Sequence, residues 1–167
     1  MLPLFRRVTL GVGVAFVLSL VVLQAQGTDP LVGTWKLNVA ASTYDPGPPP
    51  KSITRTVEDW GGGVLVAVVR GVDAKGDPTW AHCAFRYDGK DYPYASNTSP
   101  GTSPAFTTLA FKRVDANTYE ITVKVVGIVV QTQTGSVSKD GKTDTVRTKG
   151  ANSQGQSVNN VTVWDKQ

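Results

Sequence analysis

The sequence predicts an all-β protein, a single antiparallel meander that closes into a barrel of about 8 to 10 strands. Val and Thr are abundant after residue 27, and no stretch there carries a helical stripe. Turn-forming clusters recur about every 8 to 12 residues. Apolar and polar residues alternate along several short segments, which is the period of a strand with one buried face. Because closure removes the exposed edges of a long sheet, we expect a barrel.

The individual strands follow from this alternation. The clearest is 118–125, where Tyr119 and Ile121 alternate with polar neighbours, and the first contains Trp35 and Leu37. Asp-Gly pairs, which suit tight hairpin turns, occur at residue 88 and again at residue 140. Short turns of this kind predict sequential antiparallel pairing. The remaining strands are expected at 52–59, 63–72, 79–87, 105–114, 127–138, 142–149 and 157–165.

The N-terminal segment has the pattern of a leader. Arg6 and Arg7 precede an uncharged apolar run over 8–23, and small residues follow at 25–27. This order is typical of a secretory signal peptide. The run is shorter than the roughly 20 residues that a membrane-spanning helix needs. An uncleaved membrane anchor is the alternative interpretation of this segment. We therefore expect a signal peptide over 1–27, a barrel domain over 28–167, and a secreted or periplasmic protein with no stable membrane anchor after cleavage.

Composition excludes several classes of function. Without the two leader arginines, 15 basic and 13 acidic side chains remain, which is too balanced for a nucleic-acid-binding surface. The single cysteine excludes an internal disulfide, and one cysteine with one histidine cannot form a closed zinc site of nitrogen and sulfur ligands. We expect no metal and no cofactor, and a monomer or weak homodimer.

A catalytic role is disfavoured by the same sequence. His82 and Cys83 are adjacent, so in a strand their side chains point to opposite faces and cannot form a nucleophile–base pair. The acidic pairs at 58–59 and at 73 and 77 flank turns, where solvated charges are the simplest interpretation. We expect no enzymatic activity. A small hydrolase or isomerase that uses a carboxylate in the barrel interior or His82 stays a less favoured alternative.

The first strand carries a resemblance to a known family. The sequence Gly-Thr-Trp-Lys-Leu-Asn at 33–38 resembles the Gly-x-Trp signature of lipocalins and fatty-acid-binding proteins. The chain is more similar to small secreted bacterial proteins with a lipocalin-like domain, a group with no established ligand. The segments that support this second similarity are PGPPPKS at 46–52, YDGKDYP at 87–93, SKDGKT at 138–143 and the terminal DKQ at 165–167.

The resemblance implies a calycin-type barrel and a structural role for several residues. Trp35, preceded by Gly33, would plug the closed end of the barrel. In lipocalins a basic residue near the chain end packs over this tryptophan. Lys166 or Arg147 would take that position, and their spacing in the sequence does not choose between them.

The predicted interior favours a ligand-binding barrel. Many inward positions are Val, Ala or Thr, which leave space, and Phe85, Tyr87, Phe111 and Tyr119 would form an apolar wall with two hydroxyl groups. The proline-rich segment 44–50 cannot pair as a central strand, and we expect it to form a flap over the open mouth with Tyr44 in reach of a ligand. The predicted ligand is a small apolar or amphipathic molecule.

A second function stays open from sequence alone. In this alternative the aromatic side chains fill the barrel completely. The protein is then a structural or protein-interaction module whose function lies on its outer surface. The strand at 63–72 supports this alternative because Val64, Val66, Val68 and Val72 share the face opposite Leu65 and Ala67.

Overall fold

A computed structural model describes residues 28–98, 106–152 and 154–167, so the predicted signal peptide lies outside the described residues. Within the described ranges the chain forms eleven β-strands and no α-helix. No helix long and apolar enough to cross a membrane occurs in them. The strands are β1 (Gly33–Thr43), β2 (Ser52–Asp59), β3 (Leu65–Val72), β4 (Pro78–Phe85), β5 (Asp88–Pro93), β6 (Ala95–Ser96), β7 (Thr107–Arg113), β8 (Thr118–Val125), β9 (Ile128–Val137), β10 (Thr143–Ala151) and β11 (Ser157–Lys166).

The strands form one antiparallel sheet that curls into a nearly closed barrel. Their order is β5-β7-β8-β9-β10-β11-β1-β2-β3-β4-β6, so each strand mostly pairs with its neighbour in sequence. Pairing of β11 with β1 joins the two halves of the chain. The two edge strands, β5 and β6, are consecutive in sequence, and the chain between them crosses the remaining seam. The predicted all-β meander barrel is confirmed.

The nine predicted strands are present, and two further strands arise where turn and loop were expected. The segment at 88–93 begins with an Asp-Gly pair, yet it pairs with β7 through a bulge between Asp88 and Asp91. Gly89 has a φ of 73°, so the Asp-Gly pair bends this edge strand. Ala95 and Ser96 then pair back onto β4. The alternation of apolar and polar residues is weak in 88–93 and 95–96, because an edge strand buries little of either face.

The N-terminal residues 28–32 close one end of the barrel. Leu31 is buried there, and its carbonyl accepts a hydrogen bond of 2.8 Å from the indole Nε1 of Trp35. Asp29 forms an ion pair with Arg113 of β7. This segment and the start of β1 define the closed end, and the proline-rich segment after β1 lies at the opposite, open end.

Trp35 is buried at the closed end of the barrel. Its side chain is fully buried, the Lys166 ammonium lies 5.0 Å from its ring centroid, and the Arg55 guanidinium carbon lies 5.6 Å from the same centroid. Gly33 adopts a φ of 134°, and a Cβ there would lie 2.6 Å from Lys166 Cε. Glycine therefore satisfies both the backbone and the packing at this position. The alternative basic residue, Arg147, is exposed.

Candidate functional site: the barrel interior

The barrel encloses a cavity of about 460 Å³. It extends from Tyr44 and Pro50 at the open end to Leu31 and Trp164 near the closed end. This volume falls within the range of small-molecule sites. The interior is therefore not filled by side chains, in contrast to the alternative of a solid barrel.

One part of the cavity wall is aromatic, and small residues line the wall beside it. Phe85 of β4 and Phe111 of β7 stack with their ring centroids 3.6 Å apart, and both are buried. Ala67, Ala81 and Cys83 line the cavity from β3 and β4. Small side chains at these positions leave the space that larger ones would occupy.

Four of the five residues predicted to contact a ligand line this cavity. They are Tyr44, Phe85, Phe111 and Tyr119. Tyr87 does not, because β4 ends at Phe85 and the chain turns toward the closed end. The Tyr87 ring packs edge-on against Phe85, and the Arg113 guanidinium carbon lies 3.9 Å from its centroid. Tyr87 therefore belongs to the packing of the closed end, and its predicted placement in the ligand wall was wrong.

The proline-rich segment contributes its two ends to the mouth. Tyr44 is half-buried against the cavity and Pro50 lines it, whereas 45–49 are exposed. Asp45 ties the segment to β11: its N–H donates to Asn160 Oδ1 at 2.8 Å, and its carbonyl accepts from Asn159 N–H at 2.7 Å. Burial raises the pKa of Tyr44 to about 12, so its hydroxyl is protonated at neutral pH.

A buried polar cluster lies deep in the cavity, formed by Arg55, Asp144 and Tyr119. Arg55 Nη2 donates to Asp144 Oδ2 at 2.6 Å, and the Tyr119 hydroxyl donates to the same oxygen at 2.7 Å. Asp144 is fully buried, whereas the Arg55 side chain is 12% exposed. Arg55 and Tyr119 line the cavity, and Asp144 lies behind them. The cluster presents a paired cation to the interior.

Electrostatics keep Arg55 and Tyr119 in the protonation states that this pairing needs. Burial lowers the pKa of Arg55, but the interactions with Tyr119 and Asp144 outweigh it and leave the pKa above its ordinary value. Burial also raises the pKa of Tyr119, so its hydroxyl stays a hydrogen-bond donor. Arg55 is therefore a permanent cation.

Sheet register brings the cluster together. Arg55 of β2 and Lys166 of β11 are the direct cross-strand partners of Trp35, and Asp144 of β10 is the partner of Trp164. The Arg55 guanidinium carbon lies 4.7 Å from the centroid of Trp164. Neighbouring rows of the inner face thus carry the cation, the anion and two indoles.

Gly135 of β9 makes room for the Tyr119 ring. It is the cross-strand partner of Tyr119, and a Cβ at this position would lie 2.1 Å from Tyr119 Cζ. No other residue fits under the ring without displacing it. The glycine therefore lets the hydroxyl of Tyr119 reach Asp144.

Sequence reasoning missed Arg55 and Asp144, although a signal was present. Arg55 occupies an inward position between Ile53 and Val57 of β2, and Asp144 shares the inner face of β10 with Val146. A charged residue on the apolar face of a strand is costly unless it is paired. Two such residues on separate strands predict a buried ion pair.

His82 and Cys83 lie on opposite faces, as expected. Cys83 is buried toward the cavity, whereas His82 is exposed and stacks on Trp80 with ring centroids 5.8 Å apart. Burial raises the pKa of the Cys83 thiol to about 12. Within the described ranges, no group of three or more His, Cys, Asp or Glu side chains is placed to hold a metal ion.

This environment predicts an unreactive thiol. The thiolate is the reactive form, so at pH 8 we expect Cys83 in the folded protein to react with Ellman's reagent at least about 100-fold more slowly than in guanidinium chloride. A variant that combines Cys83→Ala with Ala84→Cys moves the thiol to the exposed face and should react quickly without denaturant. Equal rates for the two folded proteins would contradict the buried assignment.

Comparisons with known proteins show the fold but no family. No protein-family model matches the chain, and no curated protein matches it either. Among solved structures, the wild-type fluorescent protein UnaG is 14% identical, with a TM-score of 0.52, and the match covers 81% of this chain and 96% of UnaG. A point mutant of UnaG matches with a TM-score of 0.52 and 12% identity over 83% of this chain and 96% of that chain. At this identity the likeness supports the predicted lipocalin-like barrel at the level of fold.

Proposed function

We propose that this protein is a non-enzymatic barrel that binds a small apolar or amphipathic molecule in its interior. The observation that carries the proposal is the cavity of about 460 Å³, which has a stacked aromatic wall and a single buried polar cluster at its deep end. Apolar surface supplies affinity in such sites, and a few placed polar groups orient the ligand. The mouth at Tyr44 and Pro50 gives access.

The side chains at the cavity favour binding over catalysis. The Cys83 thiol is protonated, the His82 side chain is exposed and stacked on Trp80, and the Asp144 carboxylate is held by two hydrogen bonds from Arg55 and Tyr119. A general base must be within reach of a substrate proton, and Asp144 does not line the cavity. Asp73, which does, is held at the open end by three backbone N–H groups. These placements support a binding role.

We further propose that the protein is secreted or periplasmic after removal of residues 1–27. This proposal rests on the order of charged, apolar and small residues in that segment. A binding barrel outside the cytoplasm would carry an apolar molecule through water.

The surface-interaction alternative receives less support. Of the outward valines of β3, Val68 is 36% exposed, and Val66 is half-buried. Trp80 of the paired strand β4 is 44% exposed, and further exposed apolar side chains lie on the β8–β9 hairpin, at Val126, Ile128 and Val129. The apolar patch that the alternative needs is therefore not formed by the valine face of β3.

Uptake of Nile red, a neutral apolar dye whose fluorescence rises in apolar surroundings, tests the proposal. Ala67 lines the cavity, whereas the next residue, Val68, faces outward. We expect Ala67→Trp to fill part of the cavity and weaken dye binding at least about tenfold. Val68→Trp is the matched control and should bind like the wild type.

Two results would contradict an interior site. One is the absence of dye uptake by the folded wild-type protein. The other is equal dye affinity of the two tryptophan variants, which would place the dye on the outer surface. Far-UV circular dichroism of both variants confirms that each retains the barrel.

A further inference from the structure

We propose that the cavity selects molecules whose polar end is an uncharged carbonyl group, such as an ester or amide, and discriminates against carboxylates. This inference rests on the proposed binding function and adds the chemical class of the ligand. It follows from the pairing of Arg55, which is the only arginine or lysine among the described residues that line the cavity.

Arg55 is already neutralised by an anion of the protein itself. Its guanidinium lies 2.6 Å from an oxygen of Asp144, whose side chain is fully buried and also accepts from Tyr119. A ligand carboxylate in contact with Arg55 would lie a few ångströms from the Asp144 carboxylate. At that separation the repulsion between the two anions is of the same order as the attraction to Arg55. Little net attraction would remain to offset the lost hydration of the ligand anion.

An ammonium group on the ligand is disfavoured by the placement of the charges. At the deep end Asp144 does not line the cavity, whereas Arg55 does, so a cationic head there meets a like charge before it meets the anion. The carboxylate that does line the cavity, Asp73, lies at the open end and already accepts from three backbone N–H groups. Both kinds of ion therefore lose hydration without gaining an adequate partner.

A neutral carbonyl group fits the polar atoms that the cluster leaves available. Arg55 Nε is a buried donor with no hydrogen-bond partner among the described residues. The Tyr119 proton is directed to Asp144 Oδ2, and Asp144 Oδ1 also has no partner among the described residues, so the cluster leaves one donor and one acceptor unpaired. A carbonyl oxygen can accept from a guanidinium N–H, and it costs far less to remove from water than a carboxylate.

Displacement of Nile red by ligands that differ only in the polar end tests this selectivity. Dodecanoate, dodecylamine, methyl dodecanoate and dodecanamide share one chain length and are compared near neutral pH. We expect the ester and the amide to displace the dye at concentrations about tenfold or more below those of the two ions. Preference for dodecanoate, or equal displacement by all four, would overturn the inference while leaving the binding function in place. If the wild-type protein takes up no Nile red, the binding function itself fails.

Two variants show whether Asp144 is the cause of the selectivity. Asp144→Asn removes the competing anion while its amide oxygen can still accept from Tyr119, so dodecanoate should gain about tenfold relative to methyl dodecanoate. Asp91→Asn is the matched control, because Asp91 is an exposed partner of Lys124 on the outer surface. An unchanged ester-to-carboxylate ratio in Asp144→Asn would overturn the assignment. If that variant does not fold, the wild-type ligand series decides the matter.

Discussion

Replacing Trp35 with alanine is expected to lower the free energy of unfolding by about 3 to 5 kcal/mol. The indole is fully buried, and it packs between the Lys166 ammonium and the Arg55 guanidinium. Its removal loses the transfer free energy of the ring and leaves a cavity that the surrounding strands cannot fill. The carbonyl of Leu31 also loses its hydrogen bond, so the segment that closes the barrel loosens.

Urea unfolding followed by far-UV circular dichroism measures this loss. Trp60→Ala is a matched control, because Trp60 is 69% exposed and packs on the surface. We expect the control to cost about 0.5 kcal/mol or less. A cost below about 1 kcal/mol for Trp35→Ala would mean that the plug inferred from the Gly-x-Trp resemblance has no energetic role.

The fold was largely predictable because one face of each long strand is buried. In β8 the buried residues Tyr119 and Val123 lie on one face, as the alternation in sequence indicated. In β4 the same alternation places Cys83 on the buried face and His82 on the exposed face. Local patterns of this kind fix which face of a strand is buried, and short turns then favour pairing between neighbours.

The two edge strands and the position of Tyr87 were not predictable in the same way. The strand β5 has exposed residues at most of its positions, so no alternation marks it. Tyr87 is two residues after Phe85, so in a continuous strand both side chains would point to the same face. However, β4 ends at Phe85 and the chain turns before Tyr87. Side chains alternate between the two faces of a sheet only while the backbone stays extended.

The polar cluster depends on long-range register, which no local pattern contains. Arg55 and Asp144 are 89 residues apart in sequence. Arg55 lies in the same cross-strand row as Trp35, and Asp144 lies in the row of Trp164. These two rows are neighbours on the inner face because β1 and β11 pair with each other between β2 and β10. The sequence shows that each charge lies on an inner face, but only the assembled sheet shows that the two charges are partners.

The ion pair predicts strong coupling between the two charges. Arg55→Met leaves the Asp144 carboxylate fully buried without its cation, and Asp144→Asn leaves the Arg55 guanidinium without its anion. Each single substitution is expected to cost about 3 to 5 kcal/mol of stability, since an uncompensated buried charge is expensive. The double variant carries no buried charge, and its amide oxygen still accepts from Tyr119.

We therefore expect the double variant to be more stable than either single variant. A double-mutant cycle measured by urea unfolding gives the coupling free energy, which should be about 3 kcal/mol or more. Lys124→Met with Asp91→Asn is the matched cycle for an exposed ion pair, and its coupling should be about 1 kcal/mol or less. Additive costs in the Arg55–Asp144 cycle would show that water compensates both charges in the cavity, because a solvated charge does not need its partner. The two cycles thus measure how dry the deep end of the barrel is, which is the property that makes a neutral ligand group preferable there.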